Sequence, residues 1–349
     1  MDFHNSSQSE EEDAPETFVV AVDDGYAQTK LWGDDGAGGI KSLALRSSVR
    51  SGHRSIVSFS GDNIGSSYLV EEGEEFTVSP DIEGENTQFD GFHRSAMNRV
   101  INHHALVAAG YGGKNVHLIT ALPVGEFFID GRKNNSAIDA KTTNIAMGIK
   151  NINKAIALAN IVEVSVGCQA LAAFVDYWLD DDLSEKEVPI ERVAIVDIGG
   201  RTTDVVLVLY GESVDQRRSG TENIGALDVY SSLAAMIREN FKVRDVFPMK
   251  MMDEAVRNRS IKLWGKNQDI ADLVQKAIDE QRGRLTREIE RRLGGAADID
   301  RVVFVGGGSN LFQGISSMFQ NGTEVESPEF ANARGLYKFT RYFLNNKAK

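Results

Sequence analysis

The chain has 349 residues, about two domains at roughly 150 residues each, and 42% of them are hydrophobic, so each domain can form a full core. Its single cysteine, Cys168, excludes a disulfide framework and a multi-cysteine site, and its six histidines lack the spacing of zinc ligands. The net charge of −13 opposes direct binding to nucleic acid, and no apolar run reaches the roughly 18 residues of a membrane span.

The N-terminal part begins with an acidic segment. Residues 1–17 contain six acidic side chains and no Lys or Arg, which predicts a disordered tail. The apolar run at 18–25 predicts a strand that ends in Asp-Asp-Gly, and a second strand follows at 30–32. Residues 33–95 are rich in Gly, Ser and acid and contain short strand-like pieces such as SIVSF and SYLV. They predict a small β-rich insertion.

The rest of the first half alternates helical and strand patterns. Apolar residues at helical spacing predict a helix at 94–110, and buried strands are predicted at 116–123 and 161–166. The polar stretch 130–150 predicts a loop or hairpin, and a helix begins at Gln169.

The second half repeats this order. An apolar strand at 192–200 ends in Asp and Gly and is followed by a strand at 202–211. Helices are then predicted at 226–242 and 268–293, a strand runs into a glycine turn at 302–310, and a terminal helix covers 333–344.

The two strand–turn–strand units can be laid over each other. Asp23, Gly25, Thr29 and Lys30 of the first unit match four residues of the second, namely Asp197, Gly199, Thr203 and Asp204. Every matched pair is 174 residues apart, close to half the chain. This internal repeat predicts two duplicated domains that face each other.

The matched turns predict a clamp for a polyphosphate. Glycines let the backbone approach a phosphate, and the N–H groups of a turn can point at its oxygens. Asp23 and Asp197 would hold Mg²⁺, which favours a few carboxylates, waters and phosphate oxygens. Lys30 would place a positive charge at the β- or γ-phosphate. For either hairpin alone, an ordinary Asp-Gly turn is the competing interpretation.

A third glycine-rich element supports the clamp. Gly306, Gly307 and Gly308 follow an apolar strand and precede a helix-like stretch. Three glycines alone predict only a flexible turn. Together with the two hairpins they indicate where the backbone meets adenine and ribose, at a helix N-terminus.

These motifs resemble a known superfamily. VDDGYAQTK and VDIGGRTTD are similar to the two phosphate motifs, and VGGGSN to the adenosine motif, of actin, sugar kinases and heat-shock chaperones. NRVINHHALVAAGY, HLITALPVGEFF and ARGLYKF resemble the ParM (StbA) group of plasmid-segregation actins. The resemblance covers most of 18–343, least clearly 33–95 and 240–300.

The resemblance implies an α/β, actin-like ATPase fold, with two duplicated ribonuclease-H-like domains and a nucleotide cleft between them. Domain I would span 18–175, with the insertion at 33–95. Domain II would span 176–332, with a helical subdomain at about 240–295. The C-terminal helix 333–349 would pack back on domain I.

The same resemblance implies a function and its residues. Members of this group bind ATP and Mg²⁺, assemble head to tail into dynamic filaments, and move plasmid DNA through a DNA-bound adaptor, ParR. The cytoplasm is the expected compartment. Gln169, Asp197 and Asp204 would be catalytic. The nucleotide contacts would be Asp23, Asp24, Gly25, Lys30, Gly199, Gly200, Thr202, Thr203, Gly225, Gly306, Gly307 and Gly308.

Three features depart from the group. Gln169 stands where close ParM relatives usually carry a catalytic Glu; a Gln can orient the attacking water although it is a poor base. Arg201 stands where Gly or Thr is usual, and it could reach phosphate or point to solvent. The acidic segment 1–17 is an extension.

Three other functions fit the superfamily less well. A small-molecule kinase would need an additional Asp as general base, and the sequence offers no clear candidate. A heat-shock chaperone would carry a substrate-binding domain after the nucleotide domain. A cell-shape actin usually carries an amphipathic or apolar membrane segment.

Overall fold

The computed structural model describes residues 16–53, 66–79, 82, 84–152 and 156–347, with the backbone alone at 346–347. The segment 1–15 and the strand-like piece SIVSF (55–59) lie outside these residues. The disordered tail therefore stays a prediction for 1–15, as does that part of the insertion, whereas Thr17 of the predicted tail already belongs to the first strand.

The first half of the chain is a mixed α/β structure. Its strands are β1 (Thr17–Asp24), β2 (Gln28–Asp34), β3 (Ile40–Arg46), β4 (Val49–Ser51), β5 (Ser66–Val70), β6 (Glu75–Val78), β7 (Asn115–Leu122), β8 (Phe128–Ile129), β9 (Arg132–Lys133), β10 (Ile149–Asn151) and β11 (Asn160–Cys168). Its helices are α1 (Ala96–Ala108), α2 (Val124–Phe127), α3 (Asn135–Ala146) and α4 (Gln169–Trp178). We call the part that contains β1–β11 the first domain.

The main sheet of the first domain has the order β3–β2–β1–β7–β11. β1, β2 and β3 are antiparallel neighbours, whereas β1, β7 and β11 run parallel. β1 is buried at every position from Phe18 to Asp24, as expected for a strand that is covered on both faces. This burial places its C-terminal end, which carries Asp23, in the interior.

The insertion forms a second, four-stranded sheet of order β10–β5–β6–β4. Two predictions need correction here. β3 (Ile40–Arg46) lies within the predicted insertion 33–95 but belongs to the main sheet. The polar stretch 130–150, predicted as a loop or hairpin, begins within the hairpin β8–β9 but also contains helix α3 and strand β10, which were not predicted. Asn134 Oδ1 accepts a hydrogen bond from Ala137 N and caps α3, which buries Lys141 and Ile145.

The second half repeats the plan. Its strands are β12 (Arg192–Ile198), β13 (Thr203–Leu209), β14 (Ser213–Val214), β15 (Gly220–Glu222), β16 (Ser260–Leu263), β17 (Lys266–Asp269), β18 (Arg301–Val305) and β19 (Gly322–Glu324). Its helices are α5 (Ala226–Phe241), α6 (Met249–Asn258), α7 (Ala271–Leu293) and α8 (Ala331–Lys347), with short 3-10 helices at 309–311, 315–318 and 328–330. We call the part that contains β12–β19 the second domain.

The main sheet of the second domain has the order β14–β13–β12–β18–β19, and β15 also pairs with β13. Here too an antiparallel hairpin is followed by two parallel strands. The predicted helical region at about 240–295 contains the hairpin β16–β17 between α6 and α7, because Ser260–Leu263 pairs with Lys266–Asp269. Asp269 Oδ1 then accepts from Ala271 N, and α7 starts three residues later than predicted.

Helices α4 and α8 connect the domains. α4 follows β11 of the first domain, yet its Ala170, Ala173 and Phe174 pack in a core with strands of the second sheet. α8 follows the second domain, yet its Leu336 packs on β1 and β7 of the first sheet. The helices cross at Gly335, where a Cβ atom would lie 1.8 Å from the carbonyl oxygen of Ala172. The missing side chain therefore allows the two backbones to touch.

Candidate nucleotide cleft

The two hairpins keep the register that the repeat predicts. Asp23 lies opposite Lys30 in the β1–β2 ladder, and Asp197 lies opposite Asp204 in the β12–β13 ladder. The residues that match in sequence are therefore equivalent rungs of two equivalent hairpins. Each domain presents one such rung to the cleft between them.

Glycine is required by the geometry of both turns. A Cβ atom on Gly25 would lie 2.9 Å from the carbonyl oxygen of Gln28, and one on Gly199 would lie 2.9 Å from that of Thr202. The turns also touch each other, because a Cβ atom on Gly200 would come within 2.6 Å of the Cβ of Ala27. The two turns thus close one end of the cleft by packing against each other.

Asp23 is the centre of a small polar group in the first domain. Its Oδ1 accepts a hydrogen bond of 3.0 Å from Gln169 Nε2, and its Oδ2 lies 3.6 Å from Lys30 Nζ. Gln169 is the first residue of α4, so the position of α4 sets the position of this amide. Asp23 and Gln169 are 4% and 8% exposed, which leaves only their cleft-facing atoms for a ligand.

Asp197 lies at the equivalent position of the second domain. Its Oδ2 accepts a hydrogen bond of 2.7 Å from Asn332 Nδ2, which belongs to α8. Burial and the neighbouring carboxylate of Asp23 raise the pKa of Asp197 to about 7. Two carboxylates that repel each other in this way would be stabilised by a cation between them.

Asp204 accepts hydrogen bonds from both domains. Its Oδ1 accepts from the Thr221 hydroxyl, and its Oδ2 accepts from Val124 N of the first domain at 3.3 Å. Burial raises the pKa of Asp204 to about 6. This carboxylate therefore helps to join the second domain to the first at the start of α2.

The charges at the hairpins suit a bound cation. Asp23, Asp197 and Asp204 exceed Lys30 by two negative charges when all are ionised, whereas the rest of the cleft wall carries four arginines and two acids: Arg46, Arg257, Arg259, Arg282, Asp253 and Glu329. Within the described residues, no group of three or more His, Cys, Asp or Glu is placed to hold a metal ion. Carboxylates that share Mg²⁺ with phosphate oxygens and waters fit this arrangement.

The cleft itself is a cavity of about 650 Å³, large enough for a nucleotide. Most of the predicted site residues line it: Asp23, Gly25, Lys30, Gln169, Asp197, Gly199, Gly200, Thr202, Asp204, Gly306, Gly307 and Gly308. The structure thus brings residues from both halves of the repeat to one cavity.

Three predicted contacts do not line it. The Thr203 hydroxyl is buried and donates to the carbonyl oxygen of Ile224 at 2.8 Å. Gly225 packs on the second turn, where a Cβ atom would lie 2.3 Å from the carbonyl oxygen of Gly200. Both residues therefore support the turn of the second hairpin on the side away from the cleft.

Asp24 is the third of these and points away from the cleft. It is fully buried and accepts hydrogen bonds from Asn102 Nδ2, Thr120 Oγ1 and Lys141 Nζ, the last at 2.8 and 2.9 Å to its two oxygens. Burial alone would raise the pKa of Asp24, but the charge of Lys141 and the interaction with His93 hold it well below the usual range. As a direct nucleotide contact Asp24 is therefore wrong, because its side chain is used to anchor the end of β1.

The glycine run 306–308 packs directly on the second hairpin. Gly306 has φ of +87°, and a Cβ atom there would lie 2.2 Å from Asp197 Oδ1. Gly308 N donates to the carbonyl oxygen of Ile198 at 2.8 Å. The prediction that this run lies at the N-terminus of a helix is wrong, because only a three-residue 3-10 helix, Ser309–Leu311, follows it.

Several cleft residues were not predicted. Arg46 of β3 pairs with Asp253 of α6 across the mouth, and Asp253 is also held by Tyr230 Oη at 2.9 Å and Arg257 Nη2 at 3.1 Å. Further polar residues of the second domain complete the wall, namely Arg259, Gln275, Arg282, Asn310 and Gln313. Among these residues, Asn310 belongs to the VGGGSN motif that resembles the adenosine motif.

Arg201 follows neither of its two predicted alternatives. Its guanidinium lies 5.3 Å from the ring centre of Tyr26 in the first turn, and its Nη2 donates to Asp90 Oδ1 at 2.9 Å. This side chain reaches from the second domain to the first.

Several other reactive or charged side chains lie outside the cleft wall. Cys168 is buried, which raises the pKa of its thiol, and His103 and His104 are held in the first domain with lowered pKa values because of burial. Glu222 pairs with Arg291 and Arg292 of α7 and is absent from the cleft wall.

Two family models match the chain. Residues 18–177 match the N-terminal part of the plasmid segregation protein ParM, and residues 195–315 match the C-terminal part of the archaeal, MreB-like actin homologue. The matches fall on the first and second domains. A search of curated proteins returned no match.

Solved structures share the fold. An archaeal actin homologue in complex with ADP has a TM-score of 0.73 and 21% identity, over 93% of this chain and 99% of that one. A subunit of a 15-stranded ParM filament from Clostridium botulinum has a TM-score of 0.73 and 19% identity, with the same coverage. The actin-like protein Alp7A has a TM-score of 0.72 and 14% identity, over 95% of this chain and 98% of that one.

The paired hairpins and the duplicated sheet order agree with the two family matches over residues 18–177 and 195–315. The chain is an actin-like protein whose first domain matches that of the plasmid segregation protein ParM.

Proposed function

We propose that the chain is an ATPase that polymerises when it binds ATP, depolymerises after hydrolysis, and segregates plasmid DNA through a DNA-bound adaptor. The observation that carries the proposal is the pair of equivalent rungs, Asp23–Lys30 and Asp197–Asp204, which line one cavity from two domains. A ligand that contacts both rungs would couple its chemistry to the angle between the domains.

ATP with Mg²⁺ suits this cavity. Asp23 and Asp197 would hold the ion together with phosphate oxygens, and Lys30 would neutralise a phosphate charge. The backbone N–H groups of the turns at Gly25 and Gly199–Gly200 would meet the phosphates. The polar wall at Arg259, Gln275 and Asn310 would lie at the nucleoside end. The ADP complex of the archaeal homologue supports a nucleotide in this fold.

Gln169 is the residue we assign to water activation. Its side-chain amide is held by Asp23 at 3.0 Å and lines the cleft. An amide cannot take up a proton efficiently, but it can orient a water for attack on a terminal phosphate. Magnesium would supply charge stabilisation as the phosphoryl group leaves.

Assembly would follow from closure. The closed form presents matched surfaces at its two ends, and a head-to-tail contact that does not close into a ring extends into a filament. The ParM filament among the similar structures supports this mode. The match to a plasmid segregation protein supports a cytoplasmic role with a ParR-like adaptor as the DNA-binding partner. In the described chain, no helix is long and apolar enough to span a membrane.

Pelleting and light scattering with ATP, with ADP and without nucleotide test this proposal. We expect a critical concentration that is lowest with ATP, in the absence of DNA. Moderate salt should favour assembly at first, because it screens repulsion between subunits of net charge −13. Asp197→Ala serves as the matched control and should abolish the difference between nucleotides. A protein that stays monomeric under all conditions would contradict the proposal and favour a small-molecule kinase.

A further inference from the structure

The second phosphate turn carries a cation that the assigned chemistry does not use. Arg201 lies between Gly200 and Thr202, which both line the cleft, while Arg201 itself is absent from the cleft wall. Its side chain is 21% exposed and extends to the first domain. A long cationic side chain in the middle of a phosphate turn that is directed away from the phosphates requires another role.

Its contacts form a clasp. The guanidinium lies against the ring of Tyr26, with 5.3 Å to the ring centre, and donates to Asp90 at 2.9 Å. Tyr26 is the residue after Gly25 in the first turn, and its ring is only 8% exposed. A cation against a largely buried aromatic face is held more firmly than one in a surface ion pair.

The segment that carries Asp90 is itself fastened to the first turn. Thr87 Oγ1 donates to the carbonyl oxygen of Tyr26 at 2.6 Å, and the rings of Phe92 and His93 lie 5.3 and 4.9 Å from that of Tyr26. Both partners of Arg201 therefore move with the first turn. Next to them Gly200 touches Ala27, so the clasp lies beside the point where the two turns meet.

We propose that Arg201, Tyr26 and Asp90 form a clasp that holds the two phosphate turns together and so sets how long a nucleotide stays bound. This inference rests on the proposed nucleotide function. Arg201 acts as a positioning residue: it contacts the opposite turn, and the phosphates remain with the backbone, Lys30 and the ion. Release of ADP or ATP then requires the clasp to open.

Stopped-flow release of fluorescent ADP and of a fluorescent, non-hydrolysable ATP analogue tests the clasp. We expect Arg201→Ala to accelerate release of both nucleotides about tenfold, since it removes a cation–π contact and an ion pair. Asp90→Asn should accelerate both about two- to threefold, as expected for an exposed pair. Arg217→Ala removes an exposed arginine elsewhere in the second domain and is the matched control.

The two nucleotides discriminate between roles. Faster release of ATP alone would overturn the clasp and identify Arg201 as a direct ligand of the γ-phosphate. Unchanged release from Arg201→Ala and from Asp90→Asn would also overturn it, including when thermal stability falls. A wild-type protein that binds neither nucleotide would overturn the proposed function, and the clasp with it.

Discussion

Gln169 Nε2 donates to Asp23 Oδ1 across 3.0 Å, and this bond joins the first turn of α4 to the end of β1. A residue that connects the domains thus contacts the carboxylate that we assign to the ion. One N–H of the amide is used by Asp23, and Gln169 also lines the cleft.

Replacement of Gln169 separates binding from hydrolysis. If the amide only orients water, Gln169→Ala should slow ATP hydrolysis by about 10²–10³ and change ATP affinity much less. Filaments should then persist longer after ATP is added, because the ATP state survives. Single-turnover hydrolysis and equilibrium titration measure the two effects. A variant that loses nucleotide binding but keeps its turnover per bound ATP would contradict the assignment.

Asp197 should show a conflict between stability and activity. Its pKa is raised from about 3.8 to about 7, so the folded protein binds a proton that the unfolded chain has released at intermediate pH. The stability that this proton contributes is lost as the pH rises through about 7. Asp197→Asn has no such loss. Without Mg²⁺ or nucleotide, the variant should therefore melt above wild type at pH 8, by an amount that shrinks toward pH 5.

The same substitution should reduce ATP hydrolysis by about 10²–10³, because it removes a fixed charge next to the ion. Thermal melts from pH 5 to 8 and a phosphate-release assay measure both effects. Asp245→Asn, at an exposed carboxylate of the second domain, is the control and should change neither. A melting difference that is equal at pH 5 and pH 8 would show that Asp197 does not titrate in this range.

The buried pair Asp24–Lys141 should be critical for folding of the first domain. Lys141→Met leaves a carboxylate without its cation in a fully buried position, which should cost about 3–5 kcal/mol of unfolding free energy. In the second domain the position equivalent to Asp24 is occupied by an apolar residue, Ile198. The double variant Asp24→Ile with Lys141→Met should therefore recover much of the loss. Urea unfolding measures the unfolding free energy of each variant. A double variant less stable than Lys141→Met would contradict the view that Lys141 is needed to neutralise Asp24.

Two helical glycines offer a matched test of the helix crossing. Gly335→Ala places a methyl group 1.8 Å from a backbone oxygen of α4 and should separate the helices or prevent folding. Gly283→Ala in α7 meets only the end of the Arg287 side chain, at 3.6 Å, and should stabilise the protein by up to about 1 kcal/mol. Urea unfolding of both variants measures the change in unfolding free energy. Equal changes in the two variants would show that the helix crossing can accommodate the added methyl group.

The sequence predicted those features that depend on local pattern or on the repeat. Both hairpins and their rungs were predicted correctly, because an offset of 174 residues carries the register with it. The fate of Asp24 could not be predicted, since Lys141 is 117 residues away and only the fold brings them together. Helix α3 was missed because its polar face dominates its composition, and Arg201 because nothing in its neighbours points to Tyr26.

The contact of α4 and α8 at Gly335 and Ala172 has a mechanical consequence. Two backbones that touch cannot slide past each other without lifting over neighbouring side chains, whereas they can turn about the contact with little change in packing. We therefore expect the crossing to act as a pivot, so that the two domains change their relative angle by rotation about this contact rather than by sliding along it.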